Sequence, residues 1–150
     1  MSNWTAVEIL LVEDNPGHAR LIEKNLRRAN INNKLTRFED GQQVLDFIFD
    51  NNNSTQDPNT TYLMLLDLNL PVVNGYQVLQ QLKQDEQTRH IPIIILTTTA
   101  DTREVEKCYD LGCNIYVTKP VEYSDFIEAI QKIGLFLSIV TVPTYLHQTT

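Results

Sequence analysis

Residues Val7–Pro16 read VEILLVEDNP. The first six are apolar apart from Glu8, the next two are acids, and Asn15-Pro16 then stands where a helix can begin. Asn is a favoured helix cap, and Pro is tolerated at the first helical position because its missing N–H would have no partner there. Ala19, Ile22, Leu26 and Ala29 follow at steps of three and four, one apolar face of a helix. A strand running directly into a helix is therefore expected. The continuous apolar run suits a strand covered on both faces, as in a parallel sheet.

The same alternation recurs along the chain. Lys34–Phe38, Tyr62–Leu66, Ile93–Thr97 and Ile115–Thr118 are the further strand candidates. Helical spacing lies between them: Val44, Leu45 and Ile48, then Val78, Leu79 and Leu82, then Val105, Cys108, Tyr109 and Gly112 after Asp101 or Thr102. Ser124 is placed to cap a fifth helix with a stripe of Phe126, Ile130, Ile133 and Leu137. Five strands and five helices in alternation predict an α/β fold with right-handed crossovers: a doubly wound, five-stranded parallel sheet. Asn51–Thr61 reads as a polar loop.

The chain has 150 residues, 42% hydrophobic and 21% charged, which suits one globular domain with a real core. Its formal net charge of -7 argues against a nucleic-acid surface. No apolar run approaches the roughly 20 residues of a membrane span, and the N-terminus lacks a basic signal-peptide region. The two cysteines, Cys108 and Cys113, are too few for a disulfide framework, which suits reduced thiols in a cytoplasm. His18, His90 and His147 are scattered and receive no role.

In doubly wound sheets, ligands bind beyond the carboxyl ends of the strands. There the sequence places Glu13-Asp14, Asp67 with Leu68-Asn69, Thr97-Thr98 and Thr118-Lys119-Pro120. Three carboxylates at one edge repel each other unless a cation joins them, and an all-oxygen set suits Mg2+. A carboxylate beside such a cation can act as a nucleophile toward phosphorus. Any one of these residues alone is as well explained by a solvent-facing loop end. Their joint order is not.

Those segments, LVEDN at Leu11–Asn15, LLDLNLPVVNG at Leu65–Gly75, PIIILTT at Pro92–Thr98 and YVTKP at Tyr116–Pro120, resemble the receiver domains of two-component response regulators. The likeness spans about residues 7 to 138, within a single receiver domain of 1–150 followed by an apolar tail from residue 139. It implies a flavodoxin-like fold and a phosphoryl group accepted by Asp67 from a sensor histidine kinase. It implies Mg2+ held by Asp14 directly, by Glu13 through water, by Asp67, and by the backbone carbonyl of Asn69. Thr97 and Lys119 would contact the phosphoryl group, the Lys119-Pro120 peptide would be cis, and Tyr116 would be the aromatic switch that moves with Thr97. Gly75 matches the glycine after the acceptor, while Asn69 and Thr99 match positions that tune phosphoryl lifetime. The readout would be a shift of the face built from the fourth helix, fifth strand and fifth helix. Such a domain catalyses only its own phosphorylation and dephosphorylation.

A narrower resemblance, carried by LLDLNLP and the Val-Thr-Val-Pro tail, is to the single-domain regulators of cyanobacterial phytochromes. It implies a phytochrome-type kinase and a homodimer. The apolar surplus at Leu135, Phe136, Ile139 and Val142 agrees with an interaction surface. Other readings exist: a phosphoryl shuttle in a relay, a dimeric scaffold without phosphoryl chemistry, or a haloacid-dehalogenase-type phosphatase. The phosphatase is disfavoured because Asp67 comes late and Asn69 stands where that class needs a second Asp.

Overall fold

The computed structural model describes residues 7–50, 61–98 and 101–119, together with Ser124 and Glu128. Five strands and four helices alternate over these residues. They are β1 (Val7–Val12), α1 (Pro16–Arg28), β2 (Leu35–Phe38), α2 (Gly41–Phe49), β3 (Thr61–Leu66), α3 (Gly75–Gln84), β4 (Ile93–Thr97), α4 (Thr102–Leu111) and β5 (Ile115–Thr118). The strands form one parallel sheet in the order β2-β1-β3-β4-β5. This is the flavodoxin-like winding, in which the order reverses at β1.

Strand side chains alternate between faces, and the core divides accordingly. Leu10, Val12, Met64, Leu66, Ile93 and Ile95 pack with Val44, Leu45, Ile48, Val78, Leu79, Leu82 and Cys108 from α2, α3 and α4. Ile9, Leu11, Leu63, Leu65, Ile94 and Leu96 pack on the other face with Ala19, Ile22 and Leu26 of α1. Both faces of β1, β3 and β4 are thus buried, which is why their sequences are apolar throughout rather than alternating.

Local signals fix the helix ends. Asn15 Oδ1 accepts from His18 N at 3.0 Å at the start of α1, with Pro16 in its first turn. Asn74 and Gln77 form a reciprocal capping box on α3. Asp101 caps α4, and Gly112 ends it with φ +107°, a conformation suited to glycine.

Three expectations need adjustment. Lys34 precedes β2, which begins at Leu35, and Thr61 belongs to β3, where it pairs with Val7, rather than to the preceding loop. On α4 only Cys108 is buried. Tyr109 is 47% exposed, because its phenol oxygen turns to accept from Tyr116 N at 3.1 Å. Of the expected fifth helix, Ser124 and Glu128 are helical and exposed. Its apolar stripe, Thr99, the Lys119-Pro120 peptide, and Phe136, Ile139 and Val142 lie outside the described residues. Among the described residues no helix is long and apolar enough to cross a membrane.

Candidate functional site

β1 and β3 flank the reversal of strand order, and the acids sit at their carboxyl ends. Asp67 N donates to Val12 O at 3.1 Å, so the sheet ladder carries Asp67 level with the end of β1. Glu13 N donates to Phe38 O at 3.0 Å, which continues β1's pairing with β2 by one residue. One carboxylate oxygen from each of Glu13, Asp14 and Asp67 lies within 4.8 Å of the others. Glu13 is 1% exposed and Asp67 7%, while Asp14 faces solvent.

The next two strands complete the edge. Thr97 ends β4 fully buried, and its Oγ1 accepts from Asn69 Nδ2 at 3.4 Å. Asn69 N in turn donates to Asp67 Oδ1 at 3.3 Å. Lys119 follows β5, and its backbone N donates to Thr97 O at 2.6 Å. Its ammonium donates to Glu13 Oε1 and, at 3.3 Å, to Asp67 Oδ2. The lysine side chain is only 9% exposed. The structure therefore brings Glu13, Asp14, Asp67, Asn69, Thr97 and Lys119 to one edge.

Burial pushes the Glu13 carboxyl above its usual range and outweighs the opposing pull of the Lys119 ammonium; the nearby Asp67 charge adds to the rise. Tyr116 lies half-buried in β5, packed on the α2–α3–α4 side of the core. Burial pushes its phenol up to about 12.

The donor set can hold a cation. It is all oxygen, carries three carboxylates, and opens to solvent at Asp14. This suits a hard divalent ion such as Mg2+, which takes few carboxylates and keeps waters. The Lys119 ammonium already lies against two of the three acids, as a positive charge in that position must.

Two residues escaped sequence reasoning. Arg37 reaches across from β2: its Nε donates to Glu13 O at 3.0 Å and its Nη2 to Asp14 O at 3.2 Å, pinning the turn that carries both acids. His18 Nδ1 lies 3.3 Å from Lys119 Nζ and 4.0 Å from Glu13 Oε2. A partial signal existed for each. Arg37 falls next to the end of the strand beside β1, and His18 lies in the first turn of a helix that starts at the acid edge.

The family model of the response regulator receiver domain matches residues 9–131. Response regulator Rcp1 of Synechocystis sp. is 35% identical over 136 residues, covering 90% of this chain and 92% of its own. The solved Mn(2+)-bound form of Rcp1 superposes with a TM-score of 0.70 at 33% identity, covering 87% of this chain and 93% of that one. A response regulator receiver domain from Rhodospirillum rubrum gives a TM-score of 0.74 at 48% identity, over 88% of this chain and 94% of its own. The bacteriophytochrome response regulator RtBRR gives 0.74 at 40% identity, over 85% and 77% respectively.

Proposed function

This chain belongs to the response regulator receiver domain family, and from that premise we propose that it accepts a phosphoryl group on Asp67 from a phosphohistidine of a sensor histidine kinase, with Mg2+ as cofactor. The observation that carries the reading is the meeting of the Glu13–Asp14–Asp67 carboxylates with the Lys119 ammonium, with Thr97 at the adjoining strand end.

The transfer balances simply. An Asp67 carboxylate oxygen attacks phosphorus, the phosphorus–nitrogen bond of the donor breaks, and its electron pair leaves on the imidazole nitrogen. The product is an acyl phosphate. Negative charge spreads over the three equatorial oxygens during transfer. Lys119, which already donates to Asp67 Oδ2, and the Thr97 hydroxyl would donate to those oxygens. Asp14, Asp67 and the Asn69 carbonyl would hold Mg2+, with Glu13 acting through water, and the ion would supply neutralisation of that same charge.

In this reading the receiver domain works in the cytoplasm and catalyses only its own phosphorylation and dephosphorylation. Likeness to a bacteriophytochrome response regulator supports a phytochrome-type kinase as the donor. The Tyr109–Tyr116 hydrogen bond ties β5 to α4. This supports a readout through the face formed by α4, β5 and the fifth helix, with Tyr116 as the switch residue. The apolar residues Phe136, Ile139 and Val142 support a homodimer on sequence grounds.

Intact mass after incubation with Mg2+ and acetyl phosphate tests the chemistry, with Asp67→Asn as control. A gain of one phosphoryl mass that vanishes in the variant is expected, with a shift in size-exclusion elution if dimerisation is the output. No gain with either acetyl phosphate or a phosphorylated kinase would leave the dimeric scaffold as the better reading.

A further inference from the structure

Lys119 carries three ammonium hydrogens and no acceptor, and among the described residues three acceptors lie within reach of it. Two are the carboxylates Glu13 Oε1 and Asp67 Oδ2. The third is His18 Nδ1 at 3.3 Å, contributed from α1 across a separation of 101 residues. An ammonium can only donate, so in a hydrogen bond between these two atoms Nδ1 is the acceptor. His18 does not belong to the acidic cluster.

Its place is held from below. Asn15 N donates to Glu13 Oε2 at 3.2 Å, and Asn15 Oδ1 accepts from His18 N at 3.0 Å. Pro16 restricts the backbone at the start of the same turn. Two short links thus tie the backbone of His18, from which the ring extends, to the acid turn. Its side chain, 48% exposed, flanks the mouth of the pocket.

We propose that His18 is a positioning residue for Lys119. The inference rests on the receiver reading: Glu13 and Asp67 are the groups that turn toward the cation and the phosphoryl group, and each then gives up part of its hold on the ammonium. His18 has no competing duty there. A lysine stem has four rotatable carbons and substantial rotamer entropy. A retained acceptor at Nδ1 restricts the ammonium to the side of the pocket from which it reaches Asp67. A histidine that merely helped to start α1 would act through its backbone N–H, which any replacement keeps.

The test compares His18→Ala, His18→Asn, Lys119→Met and the His18→Ala/Lys119→Met double variant, with folding checked by circular dichroism. Phosphorylation rates are read by intact mass with acetyl phosphate and Mg2+. Loss of one charge-assisted hydrogen bond is expected to slow His18→Ala by about threefold to tenfold. His18→Asn, whose amide oxygen stands near the Nδ1 position, recovers much of the rate. His18→Ala has little further effect when Lys119 is already Met. An unchanged rate in His18→Ala, or an equal slowing in the Met background, would overturn the proposal.

A second readout needs no phosphorylation. Ring 15N resonances of His18 at constant pH should show Nδ1 as the unprotonated acceptor in the wild type and a more mixed tautomer in Lys119→Met. Identical tautomers in both proteins sink the inference by themselves. Failure of the wild type to gain a phosphoryl group sinks the receiver reading instead, and the resonances still decide the role of His18.

Discussion

A methyl group on Gly75 would overlap the carbonyl oxygen of Asp67. An ideal Cβ there also falls 2.6 Å from Leu68 Cα, closer than real side chains approach backbone. Gly75 N donates to Leu68 O at 2.9 Å, so α3 begins in direct contact with the segment that carries Asp67. Only a residue without a side chain permits that approach. Gly75→Ala must therefore push α3 away or displace Asp67. The expected loss of stability is about 1–3 kcal/mol, read as a lower urea midpoint, together with slower phosphorylation of Asp67. A variant as stable and as fast as the wild type would show that the α3 junction yields freely.

Glu13 makes the site sensitive to pH. Burial raises its carboxyl above the ordinary 4.5. Between that value and the raised one, the folded chain binds more protons than the unfolded chain, so stability from this group falls as pH rises through the window. A cation must displace the same proton. Addition of Mg2+ within the window should release protons from the wild type, measured in weakly buffered solution, and release fewer from Glu13→Gln. The variant should also show a flatter dependence of urea midpoint on pH. Equal proton release from both proteins would remove Glu13 from this account.

Lys83 supports the connection between α3 and β4. Its Nζ donates to Arg89 O at 2.9 Å and to Ile91 O at 2.6 Å. Burial lowers its pKa below the usual 10.5, so the unfolded chain holds this proton more tightly and the associated stability penalty eases as pH rises toward that value. At neutral pH the two hydrogen bonds are expected to outweigh the penalty. Lys83→Met is expected to cost about 1–2 kcal/mol, seen as a reduced urea midpoint with an unchanged slope. A midpoint at or above that of the wild type would mean that the half-buried charge costs more than its two hydrogen bonds return.

Val72 stands in the loop after the acceptor with φ +66° and is 77% exposed. A β-branched residue in the left-handed region is strained, by about 1–2 kcal/mol. Asn tolerates that conformation, and little packing is lost at so exposed a position. Val72→Asn should raise the thermal midpoint by about 2–4 °C, measured by calorimetry. A fall in the midpoint would show that Val72 makes contacts worth more than its strain.

Much of the fold was legible because it repeats one local rule. Continuous apolar runs marked β1, β3 and β4, where both faces are covered. Asn15-Pro16 marked the start of α1 through capping that involves only neighbours in sequence. The stripe of α4 misled, because Tyr109 matched the helical period but had a hydrogen-bond partner on β5 that drew it outward. Period alone does not distinguish an apolar ring turned into the core from one held by its hydroxyl.

The candidate site divides along the same line. Its acids, threonine and lysine were visible in sequence because parallel strands joined by crossover helices all end at one edge of the sheet. The order of strand-end residues was therefore enough to assemble Glu13, Asp14, Asp67, Thr97 and Lys119. Tertiary structure alone decided how they are held: Arg37 on the carbonyls of Glu13 and Asp14, Gly75 against Asp67, and His18 on Lys119. Those relationships depend on register, helix docking and side-chain reach between distant segments. Local periodicity encodes which face a residue occupies, but not which distant side chain it meets there.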